Sequence, residues 1–462
     1  MNYDIIVIGS GPGGYPAAIR AAQLGMKVAV VEVAAIGGIC LNWGCIPTKT
    51  LMKSASVYRN ALHASQYGVE TGEVKADLPK MVARSRDVAA QMSKGIEFLF
   101  KKHNITLFQG RGYIKTTSTV EVTSTEGDKQ TITGKHIIIA TGSRPKELRG
   151  IPTDGVKVIT SKEALILQNI PQTLAIVGSG AIGSELATFY SSIGSKVTLI
   201  EYSSHIVPLE DQEVGKLLER AFRKAKVTVM TDSAVTAVDT SGDGCTISVT
   251  TKKGRATVEA DVVLLATGVW PNTENIGLEE LGVKTDMGKI VVDSHYQSTV
   301  LGIYAIGDVI ETPALAHVAT AEGTRCVEYI AGLNSPEIDY RIIPSCVYTN
   351  PEISSVGLTE ESAIEGGYSL RIGRFPYTAS GKATSASERD GMVKLIFDAD
   401  SDELLGAHLI GMNVTELIAE PTLAMQLGAK AVDLIRTIHP HPTMSESIME
   451  AAAATHGEAI HL

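Results

Sequence analysis

The chain has 462 residues, beyond the size at which one hydrophobic core keeps growing, so about three domains are expected. Apolar residues make up 44% and charged residues 20%, as in a compact globular protein, and a net charge of −10 without any Lys/Arg-rich run argues against a nucleic-acid partner. No apolar stretch approaches the ~20 residues of a membrane helix, so no membrane association is expected, and the five cysteines are too few for a disulfide framework.

The first predicted strand starts almost at once, at Tyr3-Asp-Ile-Ile-Val-Ile. That leaves no room for a charged leader with an apolar core, so a cytoplasmic chain, or a mature form whose leader is gone, is expected. The glycine-rich stretch Gly9-Ser-Gly11-Pro-Gly-Gly14 follows, then a helix-like segment to about Leu24, then the apolar run Lys27–Val31 ending in Glu32. The plan returns at Leu174–Val177, Gly178-Ser-Gly180-Ala-Ile-Gly183, a helix to Ile193, and Lys196–Ile200 ending in Glu201. Glu32 lies 23 residues after Gly9, and Glu201 lies 23 after Gly178.

Each copy reads as a βαβ dinucleotide-binding unit. The first glycine makes the turn, the second lets backbone approach a pyrophosphate, the third packs helix on strand, and the acid accepts from a ribose 2′-OH. A buried-strand pattern ending in Ala-Thr-Gly closes each unit, at Ala140-Thr141-Gly142 and at Ala266-Thr267-Gly268. Two dinucleotides in one chain point to FAD and NAD(P), which exchange hydride directly.

Between the first acid and the rest of its unit stands Cys40-Leu-Asn-Trp-Gly-Cys45-Ile-Pro47-Thr-Lys49. Pro47 suits the first turn of a helix, and a helix starting there places the Cys45 thiolate at its positive end, with Lys49 adding charge. The pair reads as a redox couple rather than a zinc knuckle, which needs two further ligands close by; no metal site is expected. Cys245, Cys326 and Cys346 read as buried thiols acting as small hydrophobes. Near the C-terminus, His439-Pro-His441-Pro-Thr443-Met-Ser-Glu446 contains a capping box, Thr443 with Glu446, which by itself accounts for the glutamate.

Taken together, GSGPGG, GGICLNWGCIPTK, the two ATG turns, GSGAIGSE, ATGVWPN, YAIGDV, LAHVATAEG, PSCVYTNPEISSVGLTEE and HPHPTMSE resemble, nearly end to end, the flavin-dependent disulfide reductases. Within them the resemblance is strongest to members that reoxidise dihydrolipoyl groups. It implies an α/β chain of two Rossmann-like domains plus a C-terminal α+β dimerisation domain. The limits expected are 1–144 for FAD binding, 145–270 for NAD binding, 271–341 for a central segment completing the FAD site, and 342–462 for dimerisation.

By the same resemblance, Gly9, Gly11, Gly14 and Glu32 hold the AMP half of FAD, with Gly112 nearby and Thr141, Gly142 and Ser143 lining the turn. Asp308 binds the ribityl chain, Ala316 lies near the flavin ring, and Lys49 approaches flavin N5, paired with Glu185. Gly178, Gly180, Gly183, Glu201, Val235 and Gly268 form the NAD site. Cys40 exchanges with substrate and Cys45 faces the flavin as thiolate. His441 takes the substrate thiol proton and Glu446 orients it, with His439 the weaker candidate. The implied partners are a second copy of the chain and the lipoyl-bearing proteins of 2-oxoacid dehydrogenase or glycine-cleavage complexes.

Other readings stand beside this one. A reductase of the glutathione type would use NADPH and need basic residues near Glu201, where Tyr202-Ser-Ser-His205 offers none. A mercuric reductase type would need a C-terminal redox pair, where this chain reads Gly457–Leu462 without cysteine. A non-catalytic flavoprotein scaffold would have no use for Cys40, Cys45 and His441 together. One loop departs from the family pattern: Ala379-Ser-Gly-Lys-Ala383 stands where Ala-Asn-Ser-Arg-Ala is usual.

Overall fold

The computed structural model describes residues 2–462. Residue contacts divide the chain into two compact units. The first comprises residues up to Leu51, Pro79–Lys146 and Gly268–Ile338; the second comprises Met52–Leu78, Glu147–Thr267 and Asp339–Leu462.

The first unit is built on a seven-stranded sheet. Strands β1 (Asn2–Ile8), β2 (Val28–Glu32) and β3 (Thr106–Gln109) are parallel neighbours, and β1 pairs on its other side with β6 (Lys129–Ile139). An antiparallel meander of β4 (Arg111–Thr116) and β5 (Thr119–Thr123) extends β6. The apolar runs form the centre: Ile5, Ile6, Val7, Ile137, Ile138 and Ile139 have no exposed surface. Because β1 sits between β2 and β6, the chain leaves it on one side and returns on the other. That reversal opens a crevice at the carboxyl end of β1, where the glycine-rich turn lies.

A strand far along the chain, Ile303–Ala305, pairs parallel with β6 and completes the sheet. The helix after it, Ala316–Ile330, packs on α1 (Gly14–Gln23). A Cβ on Gly323 would come 2.5 Å from the Gly13 carbonyl oxygen, so glycine permits the close crossing. Arg20 on α1 donates to Glu328 at 2.8 and 3.0 Å.

The second unit holds two larger sheets. One is parallel, with strands in the order Thr228–Met230, Lys196–Ile200, Thr173–Val177, Val262–Leu265 and Val158–Ile159, and a three-stranded meander lies beside it. The other is antiparallel and formed by Ser345–Val347, Glu352–Gly357, Leu404–Gly411, Met392–Asp398 and Leu370–Pro376. The helix Glu446–Ala454 lies on this sheet so closely that a Cβ on Gly373 would be 1.7 Å from the Ala451 carbonyl oxygen. The chain is thus α/β, with two Rossmann-like units and a C-terminal α+β segment, as expected. Among the described residues no helix is long and apolar enough to cross a membrane.

Candidate active site

The two glycine-rich turns share one steric plan. Gly9 (φ +102°) and Gly178 (φ +98°) press against the strand that closes each unit, where a Cβ would lie 2.2 Å from Ala140 O and 2.4 Å from Ala266 O. Gly14 is the first residue of its helix and Gly183 the third of its own, and at both a Cβ would fall 2.0 Å from the carbonyl oxygen of the first glycine. The middle glycines differ. Gly180 has nothing within 4 Å, and Gly11 has only the Gly38 Cα, at 4.0 Å. Backbone thus faces open space at a helix N-terminus in both units, which is the cradle a pyrophosphate fits.

The acids are held by serines that the sequence reading passed over. Glu32 Oε2 accepts from Ser10 N at 2.8 Å and Ser10 Oγ at 2.7 Å, and its Oε1 accepts from Ala34 N at 2.8 Å. Glu201 Oε2 accepts from Ser179 N and Oγ at the same distances, and its Oε1 from Ser203 N at 2.8 Å. Burial disfavours the Glu201 charge, but the bonds from Ser203 and Ser179 outweigh it and hold the carboxyl below its usual range. Three donors leave acceptor capacity for a ribose hydroxyl. The repeated Gly-Ser-Gly was the signal that could have found both serines.

The Thr141-Gly142 turn is clamped by Asn272, whose role was not legible in the Ala-Thr-Gly-Val-Trp-Pro-Asn stretch that ends on it. Thr141 Oγ1 donates to Asn272 O at 2.6 Å, while Asn272 returns bonds to Thr141 O and Gly142 O at 3.0 and 2.8 Å. Gly142 (φ +67°) faces open space. Ser143 Oγ bonds Asp308 Oδ2 at 2.5 Å, and Asp308 sits on a short turn whose Gly307 N–H donates to buried Glu322. Ala316 is the first residue of its helix. Gly112 faces core side chains instead, Ile8 and Val31 at 3.2 and 3.3 Å from a would-be Cβ. Val235 lies opposite Val249 at a bulge of the meander, and Gly268 (φ +103°) is the residue at which the chain returns to the first unit.

The cysteines occupy adjoining helices, Cys40 in α2 (Gly38–Trp43) and Cys45 as the first residue of α3 (Cys45–Leu62). The helix begins two residues before the expected Pro47, which costs nothing because first-turn N–H groups have no partner inside the helix. Cys45 therefore stands at the positive end itself, and Lys49 follows one turn later. Both cysteines are free thiols. The hydrogen bond from Cys40 to Cys45, with burial and the nearby Cys45 charge, pushes the Cys40 thiol far up, while Lys49 pulls the other way. Tyr15 on α1 is close enough for Cys40 to help raise its pKa, after burial. Cys245 and Cys326 are buried as expected; Cys346 is only half-buried, its sulfur 3.9 Å from Thr415 O.

In the second unit His441 Nδ1 bonds Glu446 Oε1 at 2.8 Å, and the His441 side chain is 77% exposed. That bond leaves Nε2 free to accept a proton. Glu446 Oε2 accepts from Thr443 N at 2.8 Å, and these bonds hold the carboxyl below its usual range against its burial. The expected capping box is half formed: the Thr443 hydroxyl turns to Pro440 O at 2.7 Å, because the helix starts at Glu446 with Ser445 as its cap. His439 is a buried pin. Its Nε2 bonds Glu420 at 2.7 Å, its Nδ1 bonds Thr437 O at 2.9 Å, and the Glu420 bond raises its pKa despite burial. Glu185 is buried on the helix Ala181–Ser192 and accepts from Tyr348 N at 3.0 Å. Lys49 and the cysteines belong to the first unit, Glu185 and the His441–Glu446 dyad to the second.

Comparison with known proteins agrees over the whole length. Residues 3–323 match the family described as pyridine nucleotide-disulphide oxidoreductase, and residues 343–452 match its dimerisation domain. A dihydrolipoyl dehydrogenase of Rhizobium etli is 46% identical across 100% of this chain and 99% of its own. One of Zymomonas mobilis is 43% identical over the same shares. The crystal structure of LpdA from Mycobacterium tuberculosis superposes with a TM-score of 0.90 at 28% identity, covering 97% of this chain and 99% of that one. The chain belongs to the pyridine nucleotide-disulphide oxidoreductase family.

Proposed function

We propose that this chain works in the cytoplasm as a homodimer that oxidises dihydrolipoyl groups with NAD⁺ through a Cys40–Cys45 couple. Its substrates are the lipoyl-bearing proteins of 2-oxoacid dehydrogenase or glycine-cleavage complexes. Residues 1–144 and 271–341 serve FAD, 145–270 serve NAD, and 342–462 form the dimer contact. When bound, FAD relays two electrons between the thiol pair and the nicotinamide.

One observation carries the reading above the rest: the cysteine helix is seated on the first glycine-rich turn. A Cβ on Gly38 would lie 2.8 Å from Gly11 Cα, and Gly37 N donates to Ser10 Oγ at 3.2 Å. These contacts support a couple that works beside one dinucleotide cradle.

The exchange follows from the residues. His441 Nε2 takes the proton of a dihydrolipoyl thiol, and the thiolate attacks the Cys40 sulfur of the disulfide. The Cys40–Cys45 bond breaks and its electron pair leaves on Cys45, forming a mixed disulfide. The second dihydrolipoyl thiol then displaces Cys40 and passes its proton to it, closing the lipoyl ring. The products are a Cys40 thiol, a Cys45 thiolate and protonated His441, steadied by Glu446. This is the proton distribution that the raised Cys40 pKa favours.

Steady-state assays with lipoamide, glutathione disulfide and Hg²⁺, each with NADH and NADPH, test the proposal. The ionised Glu201 repels a 2′-phosphate, so NADH with lipoamide should exceed every other pair in kcat/KM by at least about 100-fold. Equal use of NADPH, or faster turnover of glutathione disulfide, refutes it.

A further inference from the structure

The helix that carries Cys40 cannot hold its own place. α2 has six residues, too few for stability in isolation, and glycines stand at both ends: Gly37 (φ +92°) before it, Gly38 (φ +62°) as its first residue, and Gly44 after it. Yet a disulfide requires its two Cα atoms to stay within about 4.4–6.8 Å of each other, and the sulfurs must part and rejoin at every turnover. Something outside α2 has to fix it.

That support comes from α4 (Leu78–Lys102), which presents three polar side chains to the two cysteine helices. Arg86 Nη1 donates to the carbonyl of Asn42, in the last turn of α2 between the cysteines. Ser93, two turns further on the same face, donates to Ile36 O at 2.8 Å and lies 3.2 Å from Asn42 Oδ1. Asn42 is itself buried and spans the start of the helix, donating to Ile36 O at 2.9 Å and Gly38 O at 3.0 Å. Arg84 Nη1 reaches Thr50 O on α3 at 3.1 Å. One helix thus grips both carriers.

Arg86 is the costly member of the set. Its Nη2 is buried with no hydrogen-bond partner among the described residues, and burial lowers its pKa. A buried unpaired donor destabilises a fold, so this arginine is poorly explained as a fold stabiliser alone. A cation at the carboxyl end of a short helix, bonded to one of its final carbonyls, is well explained as an anchor.

We propose that Arg86 is a positioning residue for the Cys40–Cys45 couple: by holding the Asn42 carbonyl it fixes α2, so that opening and closing the disulfide is confined to side-chain rotation. The inference rests on the reading of Cys40 and Cys45 as the redox couple. Arg86 acts through Asn42, so its loss should spoil thiol exchange and leave chemistry that bypasses the thiols.

The test uses FAD-bound Arg86→Met and Arg86→Lys, each assayed for dihydrolipoamide–NAD⁺ turnover and for NADH-driven ferricyanide reduction, which does not pass through the cysteines. In Arg86→Met the ratio of the first kcat to the second should fall about tenfold with KM for dihydrolipoamide little changed, since misplacement of about 1 Å can cost up to 10²-fold. Arg86→Lys keeps the charge and one donor and should lose only about threefold. A ratio unchanged in both variants, or both activities falling in step, overturns the proposal. Should Arg86→Met fail to retain FAD, the Arg86→Lys ratio decides alone. Cys40→Ser in the same assays separates the two claims: if it still turns over dihydrolipoamide, the redox-couple reading fails, whatever Arg86 does.

Discussion

Lys394 offers a sharp quantitative test of how the second unit is joined. Its side chain is 2% exposed on the strand Met392–Asp398, and its Nζ lies 2.8 and 3.0 Å from Asp211, 2.7 Å from Glu360 and 3.3 Å from Glu213. Asp211 has no exposed surface and caps the helix Gln212–Lys224 by accepting from Glu213 N at 3.0 Å. In Lys394→Met the two glutamates keep Arg374, which reaches each at 2.9 Å. Being partly exposed and still paired, they should contribute under about 1 kcal/mol to the loss. Asp211 keeps only backbone donors and the field of His408, which lies opposite Lys394 on the next strand, so an orphaned buried carboxylate dominates and the variant should lose roughly 3–5 kcal/mol. Lys394→Met with Asp211→Asn removes the orphan charge while keeping a cap, and should recover most of that.

The pH dependence carries a sign. Burial disfavours the Asp211 charge, but Lys394 outweighs it and lowers the carboxyl below 3.8; Lys394 is raised above 10.5 by Asp211 and Glu360 against its own burial. The Asp211 contribution is therefore present above the unfolded carboxyl value and lost as pH falls through the lowered folded one. The Lys394 contribution is present below 10.5 and lost as pH rises through the raised folded one. Between them the wild-type pair contributes a constant amount. In Lys394→Met burial is opposed only by the backbone donors and His408, so Asp211 should rise from its wild-type position and the deficit should shrink on acidification. Urea unfolding of the FAD-bound protein at about pH 7.5 and about pH 5 measures both effects. A loss under about 1 kcal/mol at neutral pH, or a deficit that grows on acidification, refutes the reasoning.

Gly14→Ala and Gly183→Ala place a methyl 2.0 Å from a carbonyl oxygen in different units. The overpacking of about 1–3 kcal/mol should cost the first variant most of its FAD, and leave the second yellow with KM for NADH raised about tenfold; a Gly14→Ala protein with full FAD contradicts the assignment. His441→Ala should lose about 10²–10⁴-fold in dihydrolipoamide turnover. If its dyad serves the couple of the partner chain, mixed dimers of His441→Ala and Cys45→Ser chains keep one intact site and recover roughly half the wild-type activity per dimer. No recovery in verified heterodimers defeats that arrangement.

What could be read in the chain was what is local. The paired glycine turns, their strands and acids follow from apolar runs, spacing and the steric demands of single residues, and all fall within short segments. The contribution of Ile303–Ala305 to the first sheet did not, since a three-residue apolar strand carries no mark of its partner. Nor did Arg86, Ser93, Asn272 or the Lys394 cluster, whose roles depend on side chains brought from distant segments. The Thr443 hydroxyl was misread because a capping box was matched by spacing while the helix start lay three residues on. The Ala379–Ala383 departure acquires a local account: Ser380 caps a five-residue helix by accepting from Ala383 N at 3.3 Å.

The serine latch on each acid has a consequence for changing coenzyme. Ser179 gives both its N–H and its hydroxyl to the carboxylate read as the ribose contact, so that carboxylate is also what ties down the glycine-rich turn. Replacing Glu201 to admit a 2′-phosphate would free both donors and slacken the cradle at the same stroke. An exchange at that single position should therefore weaken binding of either coenzyme before it favours one. A working switch would have to rebuild the latch as well, with a new acceptor for Ser179 or a residue at 179 that needs none. The identical latch between Ser10 and Glu32 places the same coupling on the other half of the molecule.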